Sequence, residues 1–145
     1  MRVDFYVTSE STGSARLRLA CRLTEEAYLA GQQVLVWNTD AAELREFDAL
    51  LWTFGDLSFV PHAILEEAAA DHAPVLLSCG IAPSTAVDVL VNLAGEVPPC
   101  VSRAARVIEI IDGDAARRVA GRTRFKAYRD MGCQPATHEI AEPLG

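Results

Sequence analysis

A chain of 145 residues, half of them hydrophobic, can bury a real core in one compact domain and is too short for a second. A net charge of −7 and a pI near 4.9 exclude a surface that attracts nucleic-acid phosphates throughout. No apolar run approaches the roughly 18 residues of a membrane span, and MRVDFYVTS enters a strand pattern without a signal-peptide layout, so a cytoplasmic protein with no membrane partner is expected.

The elements alternate. Residues 3–7 (VDFYV) read as a strand, followed by a Ser/Thr/Gly turn and a helix over about 14–30, with Leu19, Ala20, Leu23, Ala27 and Ala30 on one face and Gly31 as its stop. Ser11, Thr12 or Ser14 can cap that helix. Residues 33–37 (QVLVW) form a second strand, and Asp40 caps a helix to about Leu51 with Leu44, Phe47, Leu50 and Leu51 inward. Three more apolar runs, 75–79, 87–93 and 106–111, read as strands.

Asp112-Gly113-Asp114 opens a last helix that ends at Gly132. Near-continuous apolar strands separated by helices predict a three-layer α/β/α domain over residues 1–132, with a mostly parallel sheet of about five strands. Residues 133–145 read as a loosely held tail.

Catalytic signatures are missing. TSESTGSA matches neither the P-loop nor the GxGxxG pattern, which need further glycines or a lysine to cradle phosphate. Ser78 and Cys79 end a strand without a nucleophile elbow, and His62 reads as a structural hydrogen-bonder rather than a base. Cys21, Cys79, Cys100 and Cys133 read as reduced small hydrophobes, and His62, His72 and His138 lack metal-ligand spacing, so no metal and no cofactor are expected. A small α/β nucleotide-binding module or enzyme stays open as an alternative, on the strand ends near residues 8–14 and 78–80.

Charge is uneven. Residues 1–100 carry 5 basic and 14 acidic side chains, whereas residues 101–131 carry 8 basic and 4 acidic. On a helical wheel Arg118, Arg122, Phe125, Lys126 and Arg129 share one stripe about 100° wide, while Ala116, Ala120, Ala127 and Met131 lie opposite and can face the sheet. The stripe is either a solvated face or a grip for an anion beside a hydrophobe. The second unusual stretch is LLWTFGDLSFVPH, aromatic where a loop is expected: either a small core of its own, as for Phe54 and Leu57, or an interface.

DFYV in the first strand, AGQQVLVW, ALLW with SFVPH, and the terminal RFKAYRDMG together make the sequence resemble the chi subunit of bacterial DNA polymerase III holoenzyme. The resemblance covers nearly the whole chain. It implies a non-catalytic adaptor that joins the clamp loader, through the psi subunit, to the acidic, phenylalanine-ended tail of single-stranded DNA-binding protein (SSB), with DNA contacted only indirectly. It places the SSB-tail site on Arg122, Phe125, Lys126 and Ile111, and the psi surface on Trp52, Phe59, Val60 and Pro61. A DNA helicase could compete for that second surface. Phe125 stands where the family often has tyrosine.

Overall fold

The computed structural model describes residues 1–11, 14–53, 60–65 and 73–140. Among the described residues seven strands form one sheet: β1 (Arg2–Thr8), β2 (Val34–Trp37), β3 (His62–Ile64), β4 (Val75–Ser78), β5 (Val87–Asn92), β6 (Ala104–Ile111) and β7 (Ala136–Ile140). Their spatial order is β3-β4-β2-β5-β6-β1-β7, and every pairing is parallel. The five expected strands are all present; the two additions, β3 and β7, are the strands at the two edges.

Parallel strands with helices on both faces bury alternate residues in opposite directions. Val34 and Val36 enter one core with Val75, Leu77, Val89 and Val91, while Leu35, Trp37, Leu76 and Leu90 enter the other. Helices α1 (Ala15–Leu29) and α2 (Ala41–Thr53) cover the first face. Helix α3 (Ala115–Asp130) covers the second, completing three layers.

The helix ends follow local chemistry. Asp40 Oδ1 accepts from the Glu43 amide at 3.1 Å, and the Asp114 carboxylate accepts from the Arg117 amide at 2.9 Å, each capping a first turn. The first helix differs from expectation: Ser14 is its N-cap residue, but its hydroxyl accepts from Arg18 Nη1 at 3.1 Å and not from a helix amide. Thr12 lies outside the described residues.

The reading of residues 133–145 as a loose tail is corrected over residues 136–140. There β7 pairs with β1, Phe5 opposite Thr137 and Thr8 opposite Ile140. Asp4, wholly buried, holds the pairing from the side: His138 Nε2 lies 2.9 Å and Arg106 Nε 2.8 Å from its oxygens, and Tyr6 stacks on His138 with centroids 4.7 Å apart. A polar strand of alternating exposure at a sheet edge carries little hydrophobic signal, which is why pattern alone misses it.

Candidate functional site: a socket between the last helix and the sheet edge

Helix α3 turns Gly121, Arg124 and Tyr128 toward the sheet, a stripe at spacings of three and four. The expected inward set is thereby corrected: Ala116 and Met131 are exposed, and Ala120 and Ala127 are only half-buried. Glu109 decides the rotation. It lies in β6 on the α3 side with no exposure and accepts from Arg124 Nε at 2.9 Å, Tyr128 Oη at 2.7 Å and Asn92 Nδ2 at 2.8 Å. Burial pushes the Glu109 carboxyl above its ordinary range, while the Arg124 charge and these donors oppose that rise. A buried carboxylate needs these partners, so the arginine and the tyrosine point inward and the alanines do not.

The opposite stripe is then free to face outward. Arg122, Lys126 and Arg129 are exposed, and Phe125 is half-buried with its ring 5.1 Å from Phe5. Lys126 Nζ is 3.5 Å from Asp130 Oδ2, one turn along. The other arginines of this region are engaged: Arg117 grips Asp112 through two bonds of 2.9 and 2.6 Å, and Arg118 Nε donates to the Asp112 carbonyl at 3.1 Å. Burial alone would raise Asp112, but its bonds and charge pairing with Arg117 hold it below the usual carboxylate range. Among the described residues Arg122 and Arg129 form no ion pair, so their charge is directed at solvent.

Two concavities flank Phe125. One, of about 190 Å³, is floored by Phe5, Val7, Ile111 and Gly121 and rimmed by Arg118, Arg122 and Thr137. The other, broad and open at about 520 Å³, lies along Arg122, Phe125, Lys126 and Arg129. Ile111, Arg122 and Phe125 thus meet around a single apolar socket, and Lys126 borders the neighbouring concavity. Phe5, Val7 and Thr137 escape sequence reasoning because β1 and β7 join the site only through strand pairing, Phe5 opposite Thr137 and Val7 opposite Ile111. Gly121 did leave a signal: a glycine inside a helix is unfavourable unless something must approach closely.

The second predicted surface sits at the far edge of the sheet. Trp52, near the end of α2, is 46% exposed and packs over His62 of β3, with centroids 4.0 Å apart. Val60 is buried in the α1/α2 core, which removes its side chain from any docking surface. Pro61 is half-buried; Phe54, Leu57 and Phe59 lie outside the described residues. His62 is a structural tie: its Nδ1 donates to the Val60 carbonyl at 2.7 Å, and its Nε2 lies 3.1 Å from Asp48 Oδ1.

The ends of the strands, where an α/β enzyme would place its chemistry, are occupied by the chain itself. The Gly113 amide donates to the Glu10 carbonyl at 2.8 Å, and a methyl on Gly113 would overlap the Ser9 carbonyl, so the turn after β6 fills the space beside the turn after β1. Ser78 is buried and bonds both backbone groups of Ile81. The four cysteines are free thiols, and burial pushes Cys21 up to about 12, far from a nucleophile's range. Among the described residues no cluster of His, Cys, Asp and Glu could hold a metal ion, and no helix is long and apolar enough to cross a membrane.

Similarity to known proteins runs the length of this scaffold. The family described as DNA polymerase III chi subunit, HolC, matches residues 1–136. DNA polymerase III subunit chi of Pseudomonas aeruginosa is 41% identical over 139 residues, covering 96% of each chain. The subunit chi of Haemophilus influenzae is 28% identical over 138 residues, covering 94% of this chain and 96% of the other. The chain belongs to the DNA polymerase III chi subunit family, an accessory subunit of the replicative polymerase and not a catalytic one.

Proposed function

We propose that this chain is an adaptor of the polymerase III holoenzyme in the cytoplasm, joining the clamp loader, through psi, to the acidic C-terminal tail of SSB. The observation that carries the reading is the meeting of Ile111, Arg122 and Phe125 around a socket of about 190 Å³, with Lys126 beside it. An aromatic ring fits the apolar floor, a terminal carboxylate fits the guanidinium of Arg122, and acidic residues preceding it fit Lys126. Most of the protein is acidic, so a local cationic stripe selects a short acidic segment over a nucleic-acid backbone.

Psi docks at Trp52, with Phe59 and Pro61 nearby in sequence. Trp52 has the attributes of an interface anchor, a large ring half in water and packed on the buried His62. β3 and β7 are the opposite edges of the sheet, so six strand spacings of about 4.8 Å separate the two surfaces and both partners can be held at once. A helicase competing for the Trp52 surface would be displaced by psi and not by the SSB tail.

Replacing Arg122 and Lys126 together with alanine is expected to abolish binding of an SSB-tail peptide in calorimetry, with folding and psi binding intact. Undiminished tail binding would remove the site from this helix.

A further inference from the structure

Gly121 sets α3 directly against Ile111, and both residues line the socket. It is buried in the middle of the helix, and a methyl group built there would overlap Ile111 Cδ1 and lie 3.3 Å from Ile111 Cγ1. Glycine inside a helix is less favourable than alanine, so this position gives up helix stability for the room that Ile111 occupies. Ile111 shares its core cluster with Phe5 and Tyr128 and also lines the concavity, which gives a displaced side chain room to move into.

We propose that Gly121 is a specificity-determining position: by leaving Ile111 tucked beneath α3, it keeps the socket deep enough for an aromatic side chain at the end of an acidic peptide. The inference rests on the proposed tail-binding reading and names how that site selects its ligand. A side chain at position 121 tilts the ethyl arm of Ile111 into the socket and makes it shallow. Ligands with a small terminal residue need less of that depth and lose less.

The consequence separates binding from folding. Gly121→Ala is expected to melt at the same temperature as the parent or higher, because alanine favours the helix and the overlapping atom is the mobile end of a side chain. Its affinity for an acidic peptide ending in phenylalanine should nevertheless fall about tenfold or more, the range for a change of one methylene in an apolar pocket. The same peptide ending in alanine should lose much less, flattening the preference between the two. Adding Ile111→Val removes the overlapping Cδ1, so Gly121→Ala/Ile111→Val should regain most of the lost affinity and preference.

The experiment titrates parent, single and double variants with both peptides by calorimetry, and separately follows the Ile111 δ1 methyl by NMR during titration with N-acetyl-phenylalanine. Loss in the single variant and recovery in the double supports the assignment; unchanged affinity and preference in a folded Gly121→Ala protein overturns it. If the parent ignores the acidic peptide but its Ile111 methyl responds to N-acetyl-phenylalanine in a Gly121-dependent way, the tail reading falls and the socket stands. No response in the parent removes both.

Discussion

Arg124 reaches inward from α3 to donate from Nε to Oε1 of Glu109 at 2.9 Å, with both side chains almost fully withdrawn from water. The pair orients the helix whose other face carries the socket. Breaking it from one side leaves a buried charge without a partner, so Arg124→Met should cost about 3–5 kcal/mol, read as a lower urea midpoint. Combining it with Glu109→Leu should recover much of that loss, because two apolar side chains leave no charge behind. Tyr128→Phe removes one donor to Glu109 and is expected to cost about 1–3 kcal/mol.

Lys126 and Asp130 pair one helical turn apart on an exposed surface, with N and O 3.5 Å apart. Such a pair contributes at most about 1 kcal/mol to stability, but under the proposed tail-binding reading Asp130 competes with the acidic ligand for Lys126. Asp130→Asn is expected to leave the melting temperature nearly unchanged and to tighten SSB-tail binding two- to threefold, equivalent to about 0.5 kcal/mol. Raising salt should weaken binding in both proteins, since screening acts on exposed charges.

On the other edge Trp52 is half-exposed and Val60 is buried, so the proposed psi recognition and stability separate between them. Trp52→Ala removes a half-exposed ring and should lower psi affinity by about 2 kcal/mol, roughly thirtyfold. Val60→Ala takes methyl groups out of the core, so it should lower stability by about 1–2 kcal/mol with psi affinity preserved in the folded protein. Surface plasmon resonance with immobilised psi, paired with thermal melts, distinguishes the two.

Asp4 supplies an acid-sensitive latch for β7. Burial by itself would raise its carboxyl, but hydrogen bonds from His138 and Arg106 and the charges of Arg106 and Arg2 outweigh burial and hold it below its ordinary value. A carboxyl depressed in the folded state binds fewer protons there than in the unfolded chain. Its contribution is complete above the ordinary aspartate value of about 3.9 and fades as pH falls through the folded value. Asp112, depressed through Arg117, acts in the same direction. Urea midpoints should therefore drop below about pH 4, and Asp4→Asn, less stable at neutral pH, should show a shallower drop.

Sequence by itself determined the alternation of strands and helices, the Asp40 cap, the start of the last helix at Asp112-Gly113-Asp114 and the placing of Arg122, Phe125 and Lys126 on one helical stripe. These are local properties, fixed by spacing, turn chemistry and a period of about 3.6 residues. Tertiary structure decided the rest, because each remaining feature depends on a partner distant in the chain. Glu109 turned Arg124 and Tyr128 inward, where an apolar count alone favoured the alanines. Parallel register brought Phe5 and Val7 beside Thr137 and Ile111, converting a cationic stripe into a socket. Packing took Val60 into the core while leaving Trp52, at the end of α2, half in water, a distinction that two nearby apolar side chains cannot express through sequence pattern.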